Sequence, residues 1–258
     1  MKIDLTDLTF LILVRIDSIQ RFENIKVVTD SLLKYFDTNI YVLEADSYNN
    51  DFLKSNLNRK IKYQFIEDKD PVLHKTKYYN YMTESVNTKY LSIWDTDAVV
   101  DKKAICDSMR HLREEADVAY PYNGLFYEVP EVIKRYYFKH RDIRILKRHV
   151  GKMKLLYERP LVGGAMIVKK DKYLRSGGES EEIYGWGNDD FIRYQRFQAS
   201  NYNIYRTKEK LFHLCHPRGI NSQFRNTFAK KVSDIELYKE EHRYALSNPK
   251  GTHLINEK

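Results

Sequence analysis

Apolar runs and segments of mixed polarity alternate along this chain, and their periods separate strands from helices. "LTFLILV", residues 8–14, is apolar almost throughout and predicts a strand buried on both faces. From Arg21 to Phe36 the apolar positions Ile25, Val28, Leu32, Leu33 and Phe36 fall at helical spacing. "NIYVLE" and "IKYQFI" predict a second and a third strand. A helix is expected from Pro71 to about Val86, with proline in the first turn, where its missing N–H is harmless. "YLSIW" predicts a fourth strand, followed by the helix "KKAICDSMRHLREEA" and the strand "DVAYPY". Strands alternating with helices predict an α/β fold, with a mainly parallel sheet covered on both faces.

The pattern loosens from Pro130 to Tyr157, where helical spacing persists without a tidy apolar stripe and Lys, Arg and Tyr crowd together. It tightens again at "PLVGGAMIVKK", and a helix-rich part follows, ending in the charged segment from Val232 to Ser247. One domain with a basic helical excursion is expected, rather than two independent domains.

The 258 residues, 42% of them hydrophobic, are enough for one large core. No apolar run approaches the ~20 residues that span a bilayer. "FLILV" lacks a basic lead and a small-residue cleavage site, so it reads as a strand and not as a signal peptide. Two cysteines, Cys106 and Cys215, exclude a disulfide scaffold and make reduced thiols in a cytosol-like compartment the expectation. The 44 Lys+Arg exceed the 36 Asp+Glu by a formal net charge of +8. That excess favours an anionic partner (nucleic acid, a phosphorylated small molecule or an anionic membrane), against the bland alternative of a solvated basic surface.

Candidate chemistry begins where the fourth strand ends. Asp95 and Asp97 flank Thr96 just after Trp94. In parallel sheets ligands bind beyond the carboxyl ends of strands, and two carboxylates at such a turn can hold Mg²⁺ or Mn²⁺ shared with substrate phosphates. The spacing alone is weak, since a chain of this composition should show about one Asp-x-Asp by chance. A second pair, Asp68 and Asp70, follows the third strand; with a Lys between them and Pro71 after, it reads as a solvated turn. Further along, Gly163 and Gly164 open an apolar strand and allow a close backbone approach. Gly185-Trp186-Gly187 makes a tight turn around one aromatic. Asn188 then caps a helix whose first turn holds Asp189 and Asp190, a placement that helix electrostatics alone could explain. His213 and His216 lie three residues apart; with Cys215 they do not match a structural zinc spacing, but an imidazole could complete a mixed oxygen and nitrogen site for Mn²⁺.

The ordered set Asp95-x-Asp97, "VGGAMIV", "YGWGNDDFIRYQR" and "HLCH" resembles the GT-A glycosyltransferases over most of the chain, and most closely the β-1,4-galactosyltransferase-like group and its bacterial relatives. The family's opening arginine-bearing strand end is similar to "LVRIDSIQR" (Arg15, Asp17, Arg21), and its basic segment before the metal motif to "HKTKYYN" (Lys75, Lys77, Asn80). The interval from Trp186 to Arg196 also matches. The resemblance implies a GT-A catalytic domain over residues 1–258: a nucleotide-binding half (1–122), a basic helical excursion (123–160), and an acceptor and catalytic half (161–258) with a C-terminal helix. It makes Asp97 and His216 metal ligands, with His213 a third where other members carry Met or a second His. Asp95 falls near the ribose. Arg15, Asp17, Arg21, Lys75, Lys77, Asn80, Thr96 and Gly164 fall near the nucleotide sugar. Asp190 matches the catalytic base, Asp189 stands where Glu usually contacts the acceptor, and Trp186 matches the aromatic that packs against the sugars. Leu161 stands where some members carry Tyr beside the donor's 2-position.

The implied activity is an inverting, Mn²⁺- or Mg²⁺-dependent transfer from a UDP-sugar to a glycan or lipid-linked acceptor. The expected setting is the cytoplasm, with the basic residues from Lys134 to Lys154 drawn to the anionic inner face of the membrane. A nucleotidylyltransferase would need an N-terminal Gly-rich loop, and "LTFLILVRIDSIQRF" has no glycine. No nucleic-acid-binding module is recognisable, so no nucleic-acid partner is expected. A non-catalytic sugar-binding protein of the same fold is the remaining rival.

Overall fold

The computed structural model describes residues 1–247; residues 248–258 of the expected C-terminal half lie outside the described residues. Strand β1 (Ile3–Val14) is buried at every position from Leu8 onward, as a strand covered on both faces must be. The Ser18 hydroxyl accepts the Arg21 N–H at 3.2 Å and starts α1 (Ile19–Tyr35), which turns Ile25, Val28 and Leu32 into the core. Phe36 does not continue that helix. Its backbone is already extended, with φ −120°, and it begins β2 (Phe36–Asp46) with its ring in the core.

A short helix, α2 (Phe52–Asn56), leads to β3 (Lys62–Glu67). The next helix, α3 (Lys75–Glu84), starts four residues later than Pro71. The reason is local competition: the Val72 N–H donates to Asp70 Oδ1 (2.9 Å) and the Leu73 N–H to Asn221 Oδ1 (2.8 Å), so this backbone is held away from a helical path. Strand β4 (Tyr90–Trp94) is followed at once by a strand that the pattern does not predict, β5 (Ala98–Val100). Then come α4 (Lys102–Glu114), capped by Asp101, and β6 (Val118–Tyr120).

The basic segment is not one long helix. It contains β7 (Phe126–Val129), α5 (Glu131–His140), α6 (Ile143–Arg148), a 3₁₀ turn at Val150–Lys152 and β8 (Lys154–Leu155). Lys134 has no exposed surface: its ammonium donates to the Cys215 carbonyl and pairs with Glu131, both at 2.9 Å. It is a strut under the histidine segment and is not available to a membrane. After β9 (Ala165–Lys169) come α7 (Lys170–Arg175), α8 (Asp189–Ala199), β10 (Ile204–Arg206), β11 (Leu211–Leu214), a 3₁₀ turn at Ile220–Ser222 and α9 (Thr227–Ser247), which packs on α8.

Seven strands form the main sheet in the order β10-β6-β9-β4-β1-β2-β3, parallel except for β9, which runs against both neighbours. A second sheet, β5-β11-β7-β8, lies beyond the carboxyl end of β4. Among the described residues no helix is long and apolar enough to cross a membrane.

Candidate active site

The loops after β1 and β4, the start of α8 and the end of β11 surround one cavity of about 270 Å³. Arg15, Asp17, Arg21, Lys75, Asp95, Thr96, Asp97, Leu161, Gly164, Trp186, Asp189, Asp190, His213 and His216 all line it. Lys77 and Asn80 do not. On α3, Lys75 and Tyr79 share the face turned to the cavity, while Lys77, two residues on, points to solvent. Asn80 is occupied elsewhere, donating to Glu179 O (3.1 Å) and Glu181 Oε1 (2.9 Å) and accepting from the Glu179 N–H.

Register builds the first cluster. Strand β5 pairs antiparallel with β11 so that His213 faces Ala98, the residue after Asp97, and the Leu214 N–H donates to the Asp97 carbonyl at 2.9 Å. Ligand atoms of Asp97, His213 and His216 then lie within 4.8 Å of one another. His213 Nε2 is 3.6 Å from Asp97 Oδ1, and His216 Nε2 is 3.1 Å from Asp97 Oδ2. His216 Nδ1 sits 2.8 Å from the Pro217 carbonyl and 3.4 Å from Arg21 Nη2; in the neutral tautomer that donates to Pro217, Nε2 turns a lone pair to the carboxylate. Burial would lower the pKa of this imidazole, but without a cation there Asp97 raises it. Two lone-pair atoms that close need a cation or a proton between them, so the donor set fits a divalent metal. Burial opposes ionisation of Asp97, but the two imidazoles and Arg21 outweigh it and hold its carboxyl well below the usual range. Burial lowers the pKa of the His213 imidazole, which favours the neutral form a metal needs. Cys215 stays outside the cluster, its thiol pushed up to about 11 by burial.

The second cluster is carboxylates held by cations. Asp189 is 4% exposed and pairs with Lys75 at 2.9 Å. Burial lifts its carboxyl to about 6, with Lys75 opposing and Asp190 reinforcing. Asp95 is lifted to about 7 by burial, against Lys75 and with Asp97 and Asp190. Asp190 behaves oppositely. Burial would raise it, but Lys75 and Arg193 outweigh that and hold it ionised at neutral pH. Its side chain is 27% exposed, so it is the open member of the pair. Asp190 Oδ1 takes a short hydrogen bond from Arg193, and its carboxylate packs so closely on Gly163 that any Cβ there would collide with it. Gly164 has φ +75°, and a Cβ would meet the Phe126 ring at 2.5 Å. The Tyr122 hydroxyl fixes this loop by donating to the Gly163 carbonyl at 2.6 Å.

Some expected roles are redistributed. Arg15 lines the cavity, but its guanidinium is spent on Ala45 O (2.7 Å), Asp70 O (2.6 Å) and Asp68 Oδ2 (2.9 Å). The Asp68–Asp70 turn is therefore bonded rather than solvated, with Asp70 also accepting from the Tyr184 hydroxyl. Asn188 occupies the N-terminal cap of α8 without capping it; its amide reaches Asp234 Oδ1 (3.1 Å). Trp186, 36% exposed, stands edge-on to Phe224 with ring centroids 4.9 Å apart. Arg193 and Glu179 are absent from the sequence-based set. Arg193 is buried and joins Glu179 (2.6 Å) to Asp190. The available signal was its place three residues after Asp190 on a helix.

A family model described as the N-terminal domain of galactosyltransferase matches residues 146–218, which hold the glycine pair, the Gly-Trp-Gly turn, both aspartates and both histidines. No curated protein matches the chain. Among solved structures, the catalytic domain of Drosophila β1,4-galactosyltransferase 7 in complex with xylobiose aligns at TM-score 0.51 and 12% identity, over 85% of this chain and 74% of that one. The mannosyltransferase from Pyrobaculum calidifontis in complex with GDP-Man and Mn²⁺ aligns at TM-score 0.54 and 13% identity, over 94% and 74%. The main sheet, its helices and the family match together support a glycosyltransferase with a GT-A, galactosyltransferase-like fold.

Proposed function

We propose that the chain is an inverting, metal-dependent glycosyltransferase. It moves galactose, N-acetylgalactosamine or a close relative from a UDP-sugar to a hydroxyl of a glycan, polysaccharide or lipid-linked acceptor. One observation carries this: the Asp97–His213–His216 cluster shares a cavity with a separate, partly exposed carboxylate, Asp190.

One carboxylate and two imidazoles suit Mn²⁺ better than Mg²⁺, which prefers oxygen ligands throughout. Asp97, His213 and His216 would hold the ion, whose chemistry is to neutralise charge on a leaving diphosphate. Arg193 fixes one oxygen of Asp190, and the other accepts the proton of the acceptor hydroxyl as that hydroxyl attacks the anomeric carbon. Attack opposite the leaving group turns an α-linked donor into a β-linkage. Lys75 holds the Asp189 carboxylate and keeps positive charge between the two clusters. Trp186 offers the sugar an aromatic face, and Leu161 leaves room for an acetamido group at the donor's 2-position. The setting proposed is cytoplasmic, with the acceptor presented at the inner face of the membrane.

Asp190→Asn keeps the shape and removes the base. It should retain Mn²⁺-dependent UDP binding by calorimetry and lose about 10²–10⁴-fold in transfer. Turnover close to wild type would remove Asp190 from the role. Failure of the wild-type chain to turn over any UDP-sugar with Mn²⁺ would favour a non-catalytic binder.

A further inference from the structure

A second cleft of about 660 Å³ lies behind the Asp95–Asp97 turn, between α1, the start of α4 and the corner where α5 meets α6. It shares no lining residue with the first cavity. Its floor is apolar, formed by Leu32, Trp94 and Val99, with the Tyr35 ring at its side. Its rim is cationic. The two acids that line it are already paired, Asp101 with Lys147 and Asp142 with Arg144. Lys34, Lys102 and Arg141 line it without an ion pair among the described residues.

These cations are held in place by the fold. The ammonium groups of Lys34 and Lys102 lie 5.2 and 4.8 Å from the centre of the same Tyr35 ring. Arg141 caps α5 with φ +50°, a left-handed conformation uncommon for a residue with a side chain. Its guanidinium packs 5.5 Å from the Phe138 ring centre, and its Nη1 is buried with no hydrogen-bond partner among the described residues. A permanently charged donor withdrawn from water without an acceptor is costly, and the two acids that line the cleft beside it are already paired with Lys147 and Arg144.

We propose that this cleft binds a phosphate group carried on an apolar body, the chemistry shared by an anionic phospholipid and a soluble alkyl phosphate. The guanidinium of Arg141 and the ammonium groups of Lys34 and Lys102 take the phosphate oxygens, and the floor takes the adjoining hydrocarbon. The site is separate from the transfer site proposed above and stands or falls without it.

The test uses the full chain and two probes: octyl phosphate by calorimetry, and sedimentation with vesicles of phosphatidylcholine containing phosphatidic acid, against phosphatidylcholine alone. Lys102→Gln/Arg141→Gln should weaken probe binding by about tenfold or more, as expected for losing charge-assisted hydrogen bonds. Lys54→Gln/Lys60→Gln removes the same charge from exposed positions and should bind as wild type. Lys102→Gln alone, at an exposed position, keeps the test open if the double variant does not fold, and should weaken binding in the same direction. Loss in the vesicle arm assigns the phosphate to a lipid headgroup; loss confined to octyl phosphate assigns it to a soluble ester. No saturable binding of either probe by the wild type, or equal loss in the Lys54/Lys60 control, would overturn the site. UDP binding with Mn²⁺ should be unchanged in all three variants.

Discussion

The turns at Asp68–Asp70 and Asp95–Asp97 have the same spacing and the same location, just beyond the carboxyl end of a parallel strand. Only one of them faces imidazoles. Strand β3 is the edge of the main sheet, and the acids beyond it meet donors that the protein itself supplies: Arg15 on Asp68, Tyr184 and the Val72 N–H on Asp70. Strand β4 lies inside the sheet, and the chain beyond it enters β5, whose pairing with β11 brings up two histidines. Their Nε2 atoms lie 3.6 and 3.1 Å from Asp97, and a neutral imidazole can turn a lone pair there, whereas a guanidinium can only donate. An acidic turn is a structural turn where the fold supplies fixed donors, and it keeps one carboxylate suited to a cation where the fold brings imidazoles to it instead.

Exchanging the fates of the two pairs by mutation breaks that contrast most sharply at Asp97. Asp97→Ala should abolish the Mn²⁺-dependent part of UDP binding, read by calorimetry with and without the ion; retention of that dependence would remove Asp97 from the cluster. Asp68→Ala should do the reverse. The Mn²⁺ requirement should stay, while the loss of a charge-assisted partner for Arg15 should cost about 1–3 kcal/mol in chemical denaturation. A loss of metal dependence there would dissolve the distinction between the turns. The smallest effect is expected at Tyr184→Phe. In the wild type the Tyr184 hydroxyl and the Val72 N–H hold the Asp70 carboxyl below its usual value. A depressed folded-state pKa adds stability above the unfolded value of about 3.9 and loses it as pH falls through the folded one. The variant should therefore be less stable near neutrality, and its curve should converge on that of the wild type in acid.

The carboxylate pairs themselves were plain in the sequence, but their difference was not, because nothing within a few residues of either reports Arg15 or His213. Periodicity located β3, β4 and α1 to within about two residues and the buried parts of β1 and β2, since burial on one or both faces leaves a local imprint; it missed the exposed start of β1 from Ile3. It placed the start of α3 too early, because the contacts that hold residues 72 and 73 off the helix come from Asp70 and from Asn221, far along the chain. It read the basic segment as helical, and α5 and α6 lie there, but it could not show that Lys134 is buried, because its partner Cys215 lies far along the chain. Lys77 and Asn80 came in with their neighbour Lys75, yet a helix presents only one of its faces to the cavity.

The sequence by itself determined the alternation of elements, the glycines on which Asp190 and Phe126 close in, and the acids, histidines and tryptophan available for chemistry. Each of these is a property of residue type and short-range spacing. Only the tertiary structure decided which acids would be answered by Arg15, which would be left to two imidazoles, and that Lys75 and Arg193 together would favour the ionised form of Asp190. The first two follow from strand register and loop packing, which bring Arg15 to Asp68 across 53 positions and His213 to Asp97 across more than a hundred; the third needs the burial that only the folded chain provides, although Arg193 lies just three residues after Asp190.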